Sequence, residues 1–411
     1  MRLFKNVVIY GVSNAWGSGV SYLLILFLTK YIAPEGVGII TNFQYLAYIL
    51  IPLISLSTTS SINREYYNND IEFTEFIWQV VYIYLTTTSI VMVVMLLLGD
   101  YIAELTALPL KLVWFSIAYA MFFQAVESRM AVFRLKDKPL FFAGWKFGRG
   151  LIEIAITVGC VLWVSQDWIW RIDAFLIGNG FLFLLVIIRI LKTRYYSYNK
   201  SIIKGIINYS LPLVPNAVLG AAIGFTDKLF ITNYLGIEAN GIYSVAFQLG
   251  MIISLLQNSF NQAWAPWLYK ELSKDEISYR PILKYSVYFA LGFFVVCLGI
   301  VFVAPHFLEY LNKEYAVPFQ VVAFVMGGFF FHGLYKLFVN YLYYYRQTNL
   351  ILFITISVAV MNIVLNWIFV PVLGMEGAAL ATLGAFLTQL TVTAFIVQRK
   401  YKLPWKSLIK V

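Results

Sequence analysis

Twelve stretches of about 20 or more mostly apolar residues run through this chain, each long enough to carry a helix across the hydrocarbon core of a bilayer. They cover residues 7–28, 38–61, 76–98, 109–133, 144–164, 171–191, 207–231, 241–265, 284–304, 317–342, 350–371 and 376–398. Lipid offers the backbone no hydrogen-bond partners, so each span must satisfy its own N–H and C=O groups as a helix. Only 12% of the 411 residues are charged, against about 25% in an ordinary soluble domain, and the mean hydropathy is +0.78. The expected fold class is an all-α polytopic membrane protein of about 12 transmembrane helices.

An internal echo divides the chain. Thr29-Lys-Tyr31-Ile-Ala-Pro-Glu35-Gly-Val-Gly38-Ile39 repeats as Thr232-Asn-Tyr234-Leu-Gly-Ile-Glu238-Ala-Asn-Gly241-Ile242, with five identities at one offset of 203 residues (232 minus 29). The offset is close to half the chain, which predicts two similar halves, 1–200 and 201–411, joined by the basic, tyrosine-rich link 192–204. A short loop at 232–239 is expected between two spans, and another at 99–108.

Of the 30 Lys and Arg residues, 25 fall on the side that holds the N-terminus; Lys30, Lys111, Arg171, Lys228 and Lys313 are left for the other. The acids divide evenly. By the positive-inside rule both termini are cytoplasmic, and topology with anionic lipid accounts for the net charge of +10 without nucleic acid. The first span is long, dotted with Gly and Ser, and lacks a small-residue cleavage site, so it reads as a retained helix. Cys160 and Cys297 lie inside apolar spans and suggest neither a disulfide framework nor a metal site; no cofactor is expected.

Charges inside the spans carry the functional reading, because each costs roughly 2.5 to 3.5 kcal/mol at mid-membrane. In the fifth span Lys146, Arg149 and Glu153 lie within one narrow arc, with Arg149 about 7 Å and Glu153 about 14 Å below its start. They form either a basic face that receives an anionic head group or an internal Arg149–Glu153 ion pair. In the fourth span Gln124, Glu127 and Arg134 share a face that Arg129 does not; Glu127 should point inward and Arg129 toward the interface. Arg64, at the end of the second span, is a snorkelling anchor or a mouth residue. Pro212, Pro215, Asn216, Gly220 and Gly224 suit a seventh helix that bends. Asp227 and Lys228 near its outer end are interfacial anchors or cavity lining. His332 and Lys336 share a face of the tenth span; the histidine is a candidate for proton coupling, or is simply satisfied by a neighbouring helix.

Several local strings now resemble one family. Tyr209-Ser-Leu-Pro-Leu-Val-Pro-Asn216, Thr226-Asp227-Lys228-Leu229, Gly241-Ile-Tyr-Ser-Val-Ala246, Phe260-Asn-Gln-Ala-Trp264 and Asn362-Ile-Val-Leu-Asn366 followed by Gly377-Ala-Ala look like the Wzx-type oligosaccharide flippases. These belong to the MOP superfamily, with the MATE exporters and the MurJ-type lipid II flippases. The resemblance implies two V-shaped six-helix bundles around a cavity. It implies transfer of undecaprenyl-pyrophosphate-linked repeat units (O-antigen, capsule or exopolysaccharide) to the outer leaflet of a bacterial inner membrane, with a polysaccharide polymerase and chain-length regulator as further partners. Basic cavity residues of the family map onto Arg149 and Lys146, then onto Arg64, Lys336 and Lys228. Glu153, Glu127, His332 and Asp227 are the ion-coupling candidates. Family members commonly have Asp-Arg where this chain has Asp227-Lys228, so a bidentate guanidinium role does not carry over there.

Two rivals stand beside this reading. A MATE-like cation or drug antiporter would need an acid-dominated cavity, whereas the membrane charges here lean basic. A membrane enzyme would need a catalytic constellation, and no paired-carboxylate, Ser-His-Asp or Cys-His arrangement is visible on the short outer loops; the chain does not read as an enzyme.

Overall fold

The computed structural model describes residues 2–66, 72–193 and 196–405, with the side chains of 2–8 left aside. Arg2, Lys5, Arg194, Lys406 and Lys410, among the 25 counted toward the basic side, lie outside the described residues or side chains. The described residues are helical apart from short connections, with no strand among them, and the chain divides by packing into two units, Met1–Phe225 and Thr226–Val411. The division falls inside a helix, later than the basic link at 192–204.

The first unit contains α1 (Arg2–Leu28), α2 (Pro34–Ser55), α3 (Thr59–Glu65), α4 (Phe73–Thr106), α5 (Leu110–Leu135), α6 (Pro139–Trp163), α7 (Ile169–Leu191), α8 (Lys200–Ser210) and the start of α9 (Val214–Leu235). Its packing runs α1 on α6, α6 on α7, and α5 against both α2 and α7. The second unit holds the rest of α9, then α10 (Ile237–Leu272), α11 (Tyr279–Leu311), α12 (Phe319–Tyr344) and α13 (Thr348–Tyr401), with α12 packed on α10, α11 and α13.

Ten of the described helical segments are long and apolar enough to cross a membrane, α8 and α9 counting as one. At 54 residues, α13 would be about 81 Å long if straight, over twice the hydrocarbon thickness. It is broken at Gly374 (φ 61°, ψ −135°) into two crossing arms. Counting those arms separately, and adding α6, which three charges keep out of the ten, gives the expected twelve crossings. The protein is thus a multi-pass, all-helical membrane protein.

Breaks in the backbone have local causes. Pro34 and Pro139 open α2 and α6, at the position where a missing N–H costs nothing. The second span, expected to be continuous, stops at Ser55 because Leu56 and Ser57 are both left-handed (φ 45° and 56°), and α3 restarts at an angle. Pro212 and Pro215 remove two helix donors, and a 3-10 turn at Leu211–Leu213 interrupts the seventh span between α8 and α9. Two loops are shorter than expected: α4 continues to Thr106, and only Gly236 (φ 92°, ψ 165°) separates α9 from α10. The repeated sequence falls at equivalent joints. One copy turns α1 into α2, the other α9 into α10, and Glu35 and Glu238 each sit in the first turn of the second helix, where the macrodipole favours an acid.

Gly374 occupies a conformation that an L side chain enters only with strain. Gly374→Ala should lower stability by about 1 to 3 kcal/mol, seen as a lower thermal midpoint of the detergent-solubilised protein. Gly292→Ala, inside α11 and with open space for the new methyl, should leave the midpoint unchanged or raise it slightly.

Candidate functional site

In the first unit the charged face of α6 meets an acid from one neighbour and a base from another. Lys146 Nζ donates to Glu127 Oε1 of α5 at 2.9 Å, and Arg149 Nη1 reaches the same oxygen at 3.5 Å. Arg149 Nε lies 3.8 Å from Glu153 Oε1, and Arg171 of α7 donates from Nη1 to Glu153 Oε2 at 3.1 Å. The five side chains form one chain of contacts, Lys146–Glu127–Arg149–Glu153–Arg171, with three cations against two carboxylates. Arg149 and Glu153 are buried, and Arg171 is fully so.

The sequence explains why these side chains can lie there. Gly17 of α1 leaves room for the Lys146 stem, since a methyl on it would meet Lys146 Cδ, and Gly150 accepts the Trp16 indole. Gly17 is therefore a packing residue of α1 against α6, whereas a methyl on Gly11 or Gly19 would meet open space. Each cation is backed by an aromatic face: Lys146 by Phe142 at 5.9 Å, Arg149 by Phe123 at 5.2 Å and Arg171 by Phe175 at 4.0 Å. Arg171 Nε and Nη2 are buried with no hydrogen-bond partner among the described residues. A guanidinium with a free donor edge, next to two further cations, is suited to the paired oxygens of a phosphate.

Both sequence readings of α6 find a counterpart. The Arg149–Glu153 contact exists, and so does the basic surplus. Glu127 points inward as expected and is shared by two cations. Arg129 is absent from the network and stacks on Phe133 at 4.6 Å. Arg64 forms no ion pair with the five; it lies over the Tyr209 ring at 4.8 Å, in a small cleft that Ser61 and Gly205 also line. Arg171 was assigned only to the outer side by charge counting. Its place as the first residue of an apolar span was the signal that could have promoted it.

In the second unit the centre is a carboxylate. Asp227 of α9 is fully buried and accepts four hydrogen bonds. Asn366 Nδ2 donates to Oδ1 at 2.8 Å and Asn362 Nδ2 at 3.3 Å; Tyr243 donates its hydroxyl to Oδ2 at 2.9 Å, and Thr382 donates to the same oxygen. The donors come from α10 and from both arms of α13. Oδ1 of Asn362 and of Asn366 is buried without a partner among the described residues. Turning either amide over would present that oxygen beside the carboxylate, and an all-oxygen set of this kind suits a hard cation or a proton.

Complete burial removes the interfacial-anchor reading of Asp227 and Lys228. Lys228 Nζ lies 3.6 Å from the centre of the Phe247 ring and 5.6 Å from that of Tyr243. His332 Nδ1 is 3.2 Å from Gln389 Oε1, and the ring packs on Phe386, so this histidine has the neutral partner of the plainer reading. One turn on, Lys336 donates to Asn258 at 2.7 Å, and Asn340 donates to Asn261 at 2.7 Å, tying α12 to α10. Asn362 and Asn366 were legible as polar residues one turn apart on an apolar span, but not as partners of Asp227; Tyr243 and Thr382 carried no signal of their own.

A family model described as "Polysaccharide biosynthesis protein" matches residues 3–272. A protein of the Lsg locus of Haemophilus influenzae is 21% identical over 359 residues, covering 85% of this chain and 87% of that protein. A membrane protein of the same organism is 20% identical over 364 residues, covering 87% of each. Among solved structures, the lipid II flippase MurJ in its inward closed conformation superposes with a TM-score of 0.78 at 15% identity, covering 95% of this chain and 87% of that one. An inward-facing multidrug resistance MATE family transporter of the MOP superfamily gives 0.66 at 15% identity, with 96% of each chain covered.

Breaking a buried ion pair by removing one partner costs about 3 to 5 kcal/mol, whereas replacing both partners with apolar residues is often neutral. Glu153→Leu should accordingly lower the thermal midpoint and yield of the protein, and Glu153→Leu with Arg171→Leu should recover most of the loss. A double variant no more stable than Glu153→Leu alone would mean that the two side chains are not coupled.

Proposed function

The chain belongs to the polysaccharide biosynthesis protein family, and from that premise we propose that it is a lipid-linked oligosaccharide flippase. Its cargo is an undecaprenyl-pyrophosphate-linked repeat unit, carried from the cytoplasmic to the outer leaflet of a bacterial inner membrane for O-antigen, capsule or exopolysaccharide assembly. The observation that carries the reading is the buried surplus of cations over acids in the first unit. Lys146 and Arg149 hold the pyrophosphate, with Glu127 as the anion it displaces. Arg171, through its Nη1 bond to Glu153 Oε2, keeps Glu153 and Arg149 in register, and Arg64 and Lys336 serve as weaker cationic contacts. The lipid tail stays in the bilayer, and alternating access between the halves, 1–200 and 201–411, exposes the sugars outside, where a polymerase and chain-length regulator would take them up.

Coupling to an ion gradient falls to Asp227 in this scheme. Glu127 and Glu153 are occupied by the cations they neutralise, and His332 by Gln389, whereas Asp227 is held by neutral donors, two of them amides whose own oxygens are without partners among the described residues. The second reading, a MATE-like exporter of cations, draws on the same carboxylate and on the likeness to MATE transporters.

Proteoliposomes separate the two. Wild type should move a labelled undecaprenyl-pyrophosphate oligosaccharide, and Arg149→Ala and Lys146→Ala, checked for folding and insertion, should lose most of that movement. Export of cationic dyes with no glycolipid transfer would replace the flippase by the exporter. Asp227→Asn should abolish the response of transport to an imposed sodium or proton gradient while passive equilibration of cargo continues; a gradient response that survives would move coupling elsewhere.

A further inference from the structure

One cavity takes no part in the network just described. Between α4, α5 and α7 of the first unit lies a space of about 420 Å³, in the range of pockets that hold small molecules. Its walls are apolar, Ile77, Val81 and Ile187 among them, while Arg129, Lys136 and Arg189 stand on its lining. The three cations meet at one end, where α5 and α7 finish and α4 begins. Arg129 is about 160° around α5 from Glu127, so this space opens on a different face from the Lys146–Arg149 cluster.

No described acidic side chain lies within ion-pair distance of any of the three; the described ion pairs are all elsewhere. The ends of α5 and α7 offer about half a negative charge each and the start of α4 about half a positive charge, so helix dipoles offset only a small part of the three positive charges. Lys136, just past the end of α5, shows the crowding: burial, and then Arg129, Lys138 and Arg189, hold its ammonium below the usual lysine range. An apolar cleft between membrane helices, closed at one end by clustered cations, has the two halves of a lipid-binding site.

We propose that this groove binds an anionic glycerophospholipid of the bilayer, its phosphate among Arg129, Lys136 and Arg189 and an acyl chain along the apolar walls of α4, α5 and α7. A lipid with two phosphates, of the cardiolipin class, matches the charge best. The proposal does not depend on the cargo of the protein, because the groove and the α6 network lie on different faces of α5.

The test is lipid retention on the full-length protein. Wild type is reconstituted with equal amounts of phosphatidylethanolamine, phosphatidylglycerol and cardiolipin, extracted in mild detergent, and its bound lipids are counted by native mass spectrometry. Cardiolipin should be retained over phosphatidylethanolamine. Arg129→Gln with Lys136→Gln and Arg189→Gln should reduce that preference on the order of a hundredfold, about tenfold or less for each cation removed. Ile187→Trp, which fills the groove without changing charge, should also lose the lipid, whereas Arg149→Ala should keep it. Equal retention of phosphatidylethanolamine, or cardiolipin held by the triple variant as by wild type, would overturn the proposal. So would one-for-one displacement of cardiolipin by undecaprenyl pyrophosphate, which would make the groove a cargo site.

Discussion

A charge in hydrocarbon must find a partner, and that requirement orders the interior of the first unit. Five ionised side chains sit on three helices, and none of them could be left alone at a cost of roughly 2.5 to 3.5 kcal/mol each. They are strung so that each carboxylate is shared by two cations, Glu127 by Lys146 and Arg149, Glu153 by Arg149 and Arg171. Sharing leaves one positive charge over, and the residual field is distributed along the string, backed by the rings of Phe142, Phe123 and Phe175. A surplus built in this way is stable without ligand and still attractive to an anion.

The second unit meets the same requirement with dipoles. Asp227 has no guanidinium beside it but four hydrogen-bond donors, and the neighbouring Lys228 is turned onto Phe247. A carboxylate held by neutral donors can exchange them for a cation at small electrostatic cost, because nothing charged has to leave. One carboxylate held by cations and another held by amides are therefore suited to different ligands, an anion in the first case and a cation in the second.

Much of the architecture was legible because hydrocarbon allows so few solutions. Span number, the interruption at Pro212 and Pro215, and the repeated joint before Glu35 and Glu238 all follow from length, proline chemistry and an offset. Helix ends were less legible. Nothing in Leu56-Ser57 announces two left-handed residues, and 99–106 looks like a loop because its acids and small residues suit water as well as a helix end. The fifth-span cluster could be read because its members lie within eight residues of one another. Arg171 and the donors around Asp227 could not, since their partners come from other helices and sequence spacing says nothing about which helices touch.

The break at Gly374 has a consequence in time. Asp227 collects its donors from Tyr243, 16 residues later, and finally from Thr382, 155 residues later, on the far arm of the last hairpin. At about 5 to 20 residues per second, synthesis of that interval takes roughly 8 to 30 s. Throughout it the carboxylate is already in the membrane or at its edge without its full set of partners. The turn at Gly374 is what brings the second arm back alongside the first, so synthesis of that arm is also what completes the shell around a residue made long before.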